Sequence, residues 1–211
     1  MPSMSTRFVH SEPEEDRMRS RRSLLPEAPV PTINGMNQAD VSAITLYVSA
    51  TAAHESAHMT VLFKAGRLLG LNYLPHETAL DEVKGVVETD TPPLTKDDCV
   101  AFAASIVGEL ICLGNYDEAR IRDDRKQVQQ LSGQPIETFV REAYEIIQRN
   151  LLFFSLLTCE VRNKMLVVLL RANSLSLADS AKQPPKVPLM TLPEVEAVYQ
   201  RAEALLSSFH L

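Results

Sequence analysis

The sequence predicts a mainly α-helical, compact multi-helix domain with one short β-hairpin or irregular excursion. Two observations predict the helices: residues 38–64 contain neither Pro nor Gly, and residues 136–173 continue as one long or two consecutive amphipathic helices. A third predicts the excursion, because Pro75 and Gly85 cut the apolar pattern between Leu68 and Thr91 into short pieces. With 211 residues, 45% of them hydrophobic, the chain is long enough for one core.

The first predicted helix follows an N-terminal arm. Residues 1–36 are rich in charge, Ser and Pro and show no sustained periodicity, so we expect a disordered or extended arm. Asn37 or Asp40 can cap the helix that follows, and Gly66 can end it. Few charges lie anywhere on its circumference, which is typical of a helix in the middle of a domain. Residues 37–211 are therefore predicted to form a single domain.

Several further elements complete this predicted domain. They are an apolar helix from Thr95 to Gly114, a charged helix from Asp117 to Leu131, the helical stretch 136–173, a Pro-rich linker over residues 174–190 and a last helix from Leu192 to Ser207. Thr95 can cap the apolar helix, and Asp97 and Asp98 in its first turn suit the positive end of the helix dipole.

Charge and composition exclude several classes of partner. A net charge of -6 and an isoelectric point near 5.4 argue against nucleic-acid binding. No apolar stretch reaches the roughly 20 residues that span a bilayer, and the charged start lacks the apolar segment of a secretory signal, so we expect no membrane span. Three widely spaced Cys residues predict neither a disulfide framework nor a thiolate metal site, which fits a cytoplasmic protein.

Residues 54–58, His-Glu-Ser-Ala-His, form an HExxH motif inside the first predicted helix. At positions i and i+4 the two histidines share one helix face, so both imidazoles can reach one tetrahedral metal ion. Glu55 lies about 100° further round the helix, where it can contact a metal-bound water without binding the metal. We therefore interpret His54 and His58 as Zn²⁺ ligands and Glu55 as the general base. The alternative is that the histidines are ordinary core or surface residues.

A catalytic zinc ion takes three protein ligands and a water, so one ligand comes from elsewhere in the chain. In the charged helix, Asp124 shares an apolar i, i+3, i+7 stripe with Ile121 and Val128. The adjacent Asp123 falls on the outer, polar face. Asp124 is therefore the predicted third ligand. The alternative is a solvated acidic pair, or an i, i+4 ion pair between Asp124 and Arg120.

Two other residues are candidates for the third ligand. Glu109 is the runner-up, because it is the only charged residue between Asp98 and Asp117, and a lone carboxylate avoids an apolar helix unless it has a partner. His76 lies beside Pro75 in the irregular excursion, where a histidine is more often solvated than bound to a metal.

The HExxH motif is followed by an apolar helix that contains Ile-Val-Gly-Glu-Leu at residues 106–110, and then by the pair Asp123-Asp124. This order resembles the proteolytic domain of FtsH-type zinc metallopeptidases over about residues 40–175. In that family a helical domain binds zinc through the two histidines and a distant Asp, which falls on Asp124 in this sequence. The resemblance implies a zincin-like metallopeptidase fold, a Zn²⁺ cofactor and assembly as a homo-oligomer.

The expected reaction is hydrolysis of peptide bonds by a metal-activated water that Glu55 deprotonates, which makes the chain a metalloendopeptidase acting on polypeptides. No Gly-x-x-x-x-Gly-Lys-Ser/Thr phosphate loop occurs in the sequence, so we expect an ATP-independent reaction that relies on a separate unfoldase or on flexible substrates. The excursion from Leu68 to Glu88 is a candidate edge strand for an extended substrate. The alternatives are a catalytically inactive zinc-bound relative that acts as a protein-interaction module, and a metal-free helical adaptor.

Overall fold

A computed structural model describes residues 38–74, 84–89, 96–175 and 187–208 of the chain. In chain order the elements are α1 (Gln38–Lys64), β1 (Leu68–Leu74), β2 (Lys84–Thr89), α2 (Lys96–Leu113), α3 (Arg122–Ser132), α4 (Glu137–Arg149), α5 (Leu151–Leu175), β3 (Val187–Thr191) and α6 (Leu192–Ser208). The prediction of a mainly helical fold is thus confirmed. None of the described helices is long and apolar enough to cross a membrane.

Among the described residues, those that form the buried core all lie in the compact unit Ser42–Leu211. The predicted arm over residues 1–36 lies outside the described residues, so its extended character stays a prediction. His76, a candidate third ligand, also lies outside the described residues.

Helix α1 runs through the core. Every residue from Ala50 to Leu62 is buried, including the polar residues of the HExxH motif. The sequence of α1 lacks a charged face, which predicts a helix that is packed on all sides, as observed. The helix is followed by Gly66, whose φ of 69° lies in the left-handed region that glycine adopts without a steric penalty.

Helices α1 and α2 approach each other closely at Gly108. A Cβ atom at this position would lie 2.6 Å from the carbonyl oxygen of Ala53 and 2.7 Å from Cβ of Ala57. Because a real Cβ does not tolerate such distances, glycine allows a spacing that other residues would prevent. The next residue along α2, Glu109, thereby reaches the HExxH segment of α1.

We expect Gly108→Ala to destabilise the fold by about 1–3 kcal/mol, because the added methyl group must displace the α1 backbone at Ala53. Ordinarily, replacing Gly by Ala inside a helix stabilises it by about 0.5–1 kcal/mol, so the sign of the change is diagnostic. Urea unfolding followed by circular dichroism gives the free energy of unfolding of both proteins. A variant as stable as the parent would contradict the close approach.

The three strands form an antiparallel sheet of order β2-β1-β3. The pairing of β1 with β2 confirms the predicted hairpin. Because β1 is the central strand, the candidate substrate edge in this excursion is restricted to β2, which is an edge strand of the described sheet.

Strand β3 was not predicted. It occupies Val187–Thr191 and so overlaps the end of the segment that the sequence assigns to a Pro-rich linker over residues 174–190. Residues 174–175 belong to α5, and residues 176–186 lie outside the described residues. The misleading signal is Pro188, which sheets tolerate in edge strands such as β3.

The charged helix also begins later than predicted, at Arg122 instead of Asp117. Residues 117–121 form a turn in which the carbonyl oxygen of Asp117 accepts hydrogen bonds from the amides of Arg120 (3.0 Å) and Ile121 (3.2 Å). The amide of Asp117 donates to the Glu109 carboxylate, 3.0 Å away. This tertiary contact holds the turn against α2, and local sequence patterns carry no information about it.

The remaining helices complete the core around α1. The predicted stretch 136–173 is two consecutive helices, α4 and α5, which meet at Asn150. Three rings from α1, α5 and α6 pack together, with centroids 5.2 Å apart in each pair: Phe63, Phe153 and Tyr199. These contacts keep the C-terminal part of α1 fixed while its centre carries the HExxH motif.

Candidate metal centre

The structure brings His54, His58 and Asp124 together at one buried point. Asp124 Oδ2 lies 3.3 Å from His54 Nε2 and 3.6 Å from His58 Nε2. One candidate ligand atom from each of the three residues lies within 4.8 Å of the other two. The two rings meet edge to face, with centroids 4.7 Å apart. This buried group could therefore hold a metal ion.

The periodicity of α3 separates the two adjacent aspartates as expected. Asp124 is 9% exposed and lies beside the fully buried Ile121 and Val128. The Asp123 side chain is 76% exposed and forms an ion pair with Lys126 at 3.3 Å. The helical repeat therefore sends one carboxylate towards the histidines and its neighbour into solvent.

Each histidine is oriented through the ring nitrogen that faces away from Asp124. His54 Nδ1 lies 2.9 Å from Glu109 Oε1, and His58 Nδ1 lies 2.6 Å from the carbonyl oxygen of Ala101. Because both partners are acceptors, we assign to Nδ1 the proton that each ring keeps when a metal ion binds at Nε2. The Nε2 lone pairs are then directed to the same point, where a metal ion can accept both.

Glu109 occupies a different place from the three converging groups. Its carboxylate contacts the far nitrogen of His54, is only 1% exposed, and accepts the Asp117 amide on Oε2. Oε1 also lies 3.1 Å from Nε of Arg120. His54 and Arg120 are thus the partners that a lone carboxylate on an apolar helix requires. Because Glu109 contacts Nδ1 of His54, its position suits a residue that orients a ligand and not the third ligand itself.

Two supporting groups were missed by sequence reasoning. Ser105 Oγ lies 2.7 Å from both Asp124 Oδ2 and the carbonyl oxygen of Phe102, so it can hold the aspartate in place. Ala101 acts through its backbone, which no side-chain pattern reveals. A usable signal existed, because residues 101, 105 and 109 follow one another at intervals of four and so form one stripe of α2.

Glu55 follows His54 in α1 and is 7% exposed. Within the described part of the chain, no side chain or amide donates a hydrogen bond to its carboxylate. Its negative charge nevertheless acts on His54. Glu55 is thus a buried residue next in sequence to a candidate ligand, and no described residue donates a hydrogen bond to its carboxylate.

The carboxylates around His54 make the site attractive to a positive charge. Burial lowers the pKa of His54, but hydrogen bonds with Asp124 and Glu109 and the charge of Glu55 outweigh it and raise the pKa to about 10. For Asp124 the effects are reversed. Burial raises the pKa of this carboxyl group, but the two neighbouring histidines outweigh burial and hold the pKa below its ordinary value. A metal ion at Nε2 competes with a proton for the same position.

Fold and site together define a mainly helical protein with a buried His-His-Asp group that could hold a metal ion. Comparison of the chain with protein-family models, curated proteins and solved structures finds no match. The resemblance to FtsH-type peptidases therefore rests on the sequence motifs alone and stays a prediction.

Proposed function

We propose that this protein is a zinc-dependent peptidase in which His54, His58 and Asp124 hold Zn²⁺ and Glu55 is the general base. The observation that carries the proposal is the convergence of two imidazole Nε2 atoms on Asp124 Oδ2, at 3.3 and 3.6 Å, next to the buried Glu55, to which no described residue donates a hydrogen bond. A structural metal site has no chemical use for such a glutamate, which favours catalysis.

The donor set suits a catalytic zinc ion. Such ions take three nitrogen or oxygen ligands from the protein and keep a fourth position for water. With metal–ligand distances of about 2.0–2.2 Å and tetrahedral angles, ligand atoms lie about 3.4 Å apart. The two distances from Asp124 Oδ2 are close to this value, and all three candidate ligand atoms lie within 4.8 Å of one another.

When bound, zinc supplies a Lewis acid that acidifies a coordinated water and polarises the substrate carbonyl. Glu55 accepts a proton from the attacking water and delivers it to the leaving amine, so one peptide bond and one water become a carboxylic acid and an amine. Glu109 and Ala101 hold the Nδ1 atoms of the two histidines, so that both Nε2 atoms face the point where the ion would bind.

The proposed substrate is an extended polypeptide. A strand of such a substrate can pair with the edge strand β2, which follows α1 in the chain. The proposed reaction does not consume ATP, so a folded substrate requires a separate unfoldase, whereas a flexible one does not. Casein, which is largely unfolded, is the appropriate first substrate because its cleavage does not depend on a partner.

The purified protein is expected to contain about one zinc ion per chain and to cleave casein. Removal of zinc with 1,10-phenanthroline should abolish cleavage and lower the melting temperature, because a ligand at 100 times its Kd stabilises the folded state by about 2.7 kcal/mol. Mass spectrometry of the metal content, calorimetry and a cleavage assay test this, and re-addition of Zn²⁺ is the control. A chain that neither contains nor rebinds metal would be a helical adaptor.

A second candidate is a zinc-bound protein-interaction module without catalytic activity. The observation that favours it is an apolar groove between α2 and α4, where the side chains of Leu110, Ile111 and Tyr144 are 42%, 40% and 46% exposed. Stoichiometric zinc together with no cleavage of any unfolded substrate would support this candidate over the peptidase.

A further inference from the structure

Arg120 lies in the turn between α2 and α3 and contacts both helices that flank the candidate metal centre. Its Nη1 donates a hydrogen bond to Oγ1 of Thr51 on α1 at 3.2 Å, and its Nε lies 3.1 Å from Oε1 of Glu109 on α2. The guanidinium also lies over the ring of Tyr47 on α1, 5.0 Å from the centroid. One side chain thus joins two helices whose separation determines the geometry of the site.

These contacts fall next to groups that form the metal centre. Thr51 precedes His54 by three residues, nearly one helical turn, and Glu109 holds the His54 ring from behind. Arg120 itself precedes Asp124 by four residues. Its side chain therefore ties α1, which carries both histidines, to the start of α3, which carries the third ligand.

Arg120 and Glu109 form an ion pair in which the glutamate carboxylate is buried. The Glu109 carboxylate is 1% exposed and already accepts from His54 Nδ1 and from the Asp117 amide. Nε of Arg120 lies close to Oε1 without the alignment of a hydrogen bond, so the contact is mainly electrostatic. It balances the buried negative charge and leaves Oε1 able to accept the His54 proton.

We propose that Arg120 is a positioning residue for metal binding. It holds Glu109 against His54 and keeps Asp124 at the distance from the histidine pair that a shared metal ion requires. The proposal rests on the metal site of the proposed function but does not depend on peptide hydrolysis. A guanidinium is required because it can contact Thr51, Glu109 and the face of Tyr47 together, whereas a lysine ammonium is a single point charge.

The test compares Arg120→Gln with the matched control Arg125→Gln. Arg125 forms ion pairs with the exposed Glu118 and Glu137 and has no contact with Glu109. Zinc affinity is measured by competition with a chromophoric chelator, and the visible spectrum of the Co²⁺-loaded protein reports the ligand geometry. We expect Arg120→Gln to weaken zinc binding by about 10- to 100-fold and to alter the Co²⁺ spectrum. Arg125→Gln should change neither, and Arg120→Lys should restore binding only in part.

A double-mutant cycle shows whether Arg120 acts through Glu109. In a Glu109→Gln background, Arg120→Gln should reduce zinc affinity much less than it does in the parent. Parental affinity and an unchanged Co²⁺ spectrum in Arg120→Gln would overturn the proposal, as would equal losses in both backgrounds. If circular dichroism shows that Arg120→Gln does not fold, Thr51→Val removes one Arg120 contact and should weaken zinc binding in the same direction, whereas parental affinity in that variant would also overturn the proposal.

Metal affinity separates this proposal from the proposed function. A parent protein that binds zinc and cleaves no peptide contradicts the peptidase, while a loss of affinity in Arg120→Gln still supports the positioning role. A parent protein that binds no zinc overturns both.

Discussion

Glu55→Gln is expected to lower kcat for casein cleavage by about 10²- to 10⁴-fold while zinc stays bound. Glutamine keeps the shape of the side chain but cannot accept the proton of the attacking water. Because the Glu55 carboxylate has no hydrogen-bond donor among the described residues, its replacement should leave the surrounding contacts intact. Initial rates at saturating casein and the zinc content of the same samples measure the two effects.

Glu118→Gln serves as the control for the Glu55 variant. Its side chain is 65% exposed and pairs only with Arg125 among the contacts of the described chain, so it should cleave casein at the parental rate. Equal rates in the parent and in Glu55→Gln would remove Glu55 from the mechanism. Stoichiometric zinc without cleavage by either protein would favour the interaction module.

Asp124→Ala is expected to cause the largest loss of zinc affinity among the carboxylate variants. Asp124 supplies the oxygen on which both Nε2 atoms converge, so its removal leaves two ligands. Glu109→Ala should weaken binding by about 10- to 100-fold, the effect typical of a partner that orients a ligand. Isothermal calorimetry with Zn²⁺ measures both affinities.

The neighbouring residue provides a closely matched control. Asp123→Ala removes the same functional group one position away, from a side chain that is 76% exposed, and should bind zinc as the parent does. If Glu109→Ala loses zinc and Asp124→Ala keeps it, the assignment of the third ligand is wrong. Similar losses in Asp123→Ala and Asp124→Ala would indicate a general effect on α3.

Much of the fold follows from local sequence patterns. The bounds of α1 agree with the prediction because a long segment without Pro or Gly is followed by Gly66, which favours the end of a helix. The paired strands agree because short apolar segments on either side of Pro75 predict strands, although Gly85 lies inside β2 and does not interrupt it. Strand β3 and the turn at residues 117–121 differ because each is stabilised by a contact with another element, β1 in one case and Glu109 of α2 in the other.

The sequence by itself determined the motif of His54, Glu55 and His58 and selected Asp124 over Asp123, because helical periodicity places residues i and i+4 on one face and turns adjacent residues apart. Only the tertiary structure decided that Glu109 lies behind His54 and that Ser105, Ala101 and Arg120 support the site. The physical reason is that these contacts cross between helices. Those between α1 and α2 depend on how closely the two backbones approach at Gly108, and that spacing is a property of the packed core.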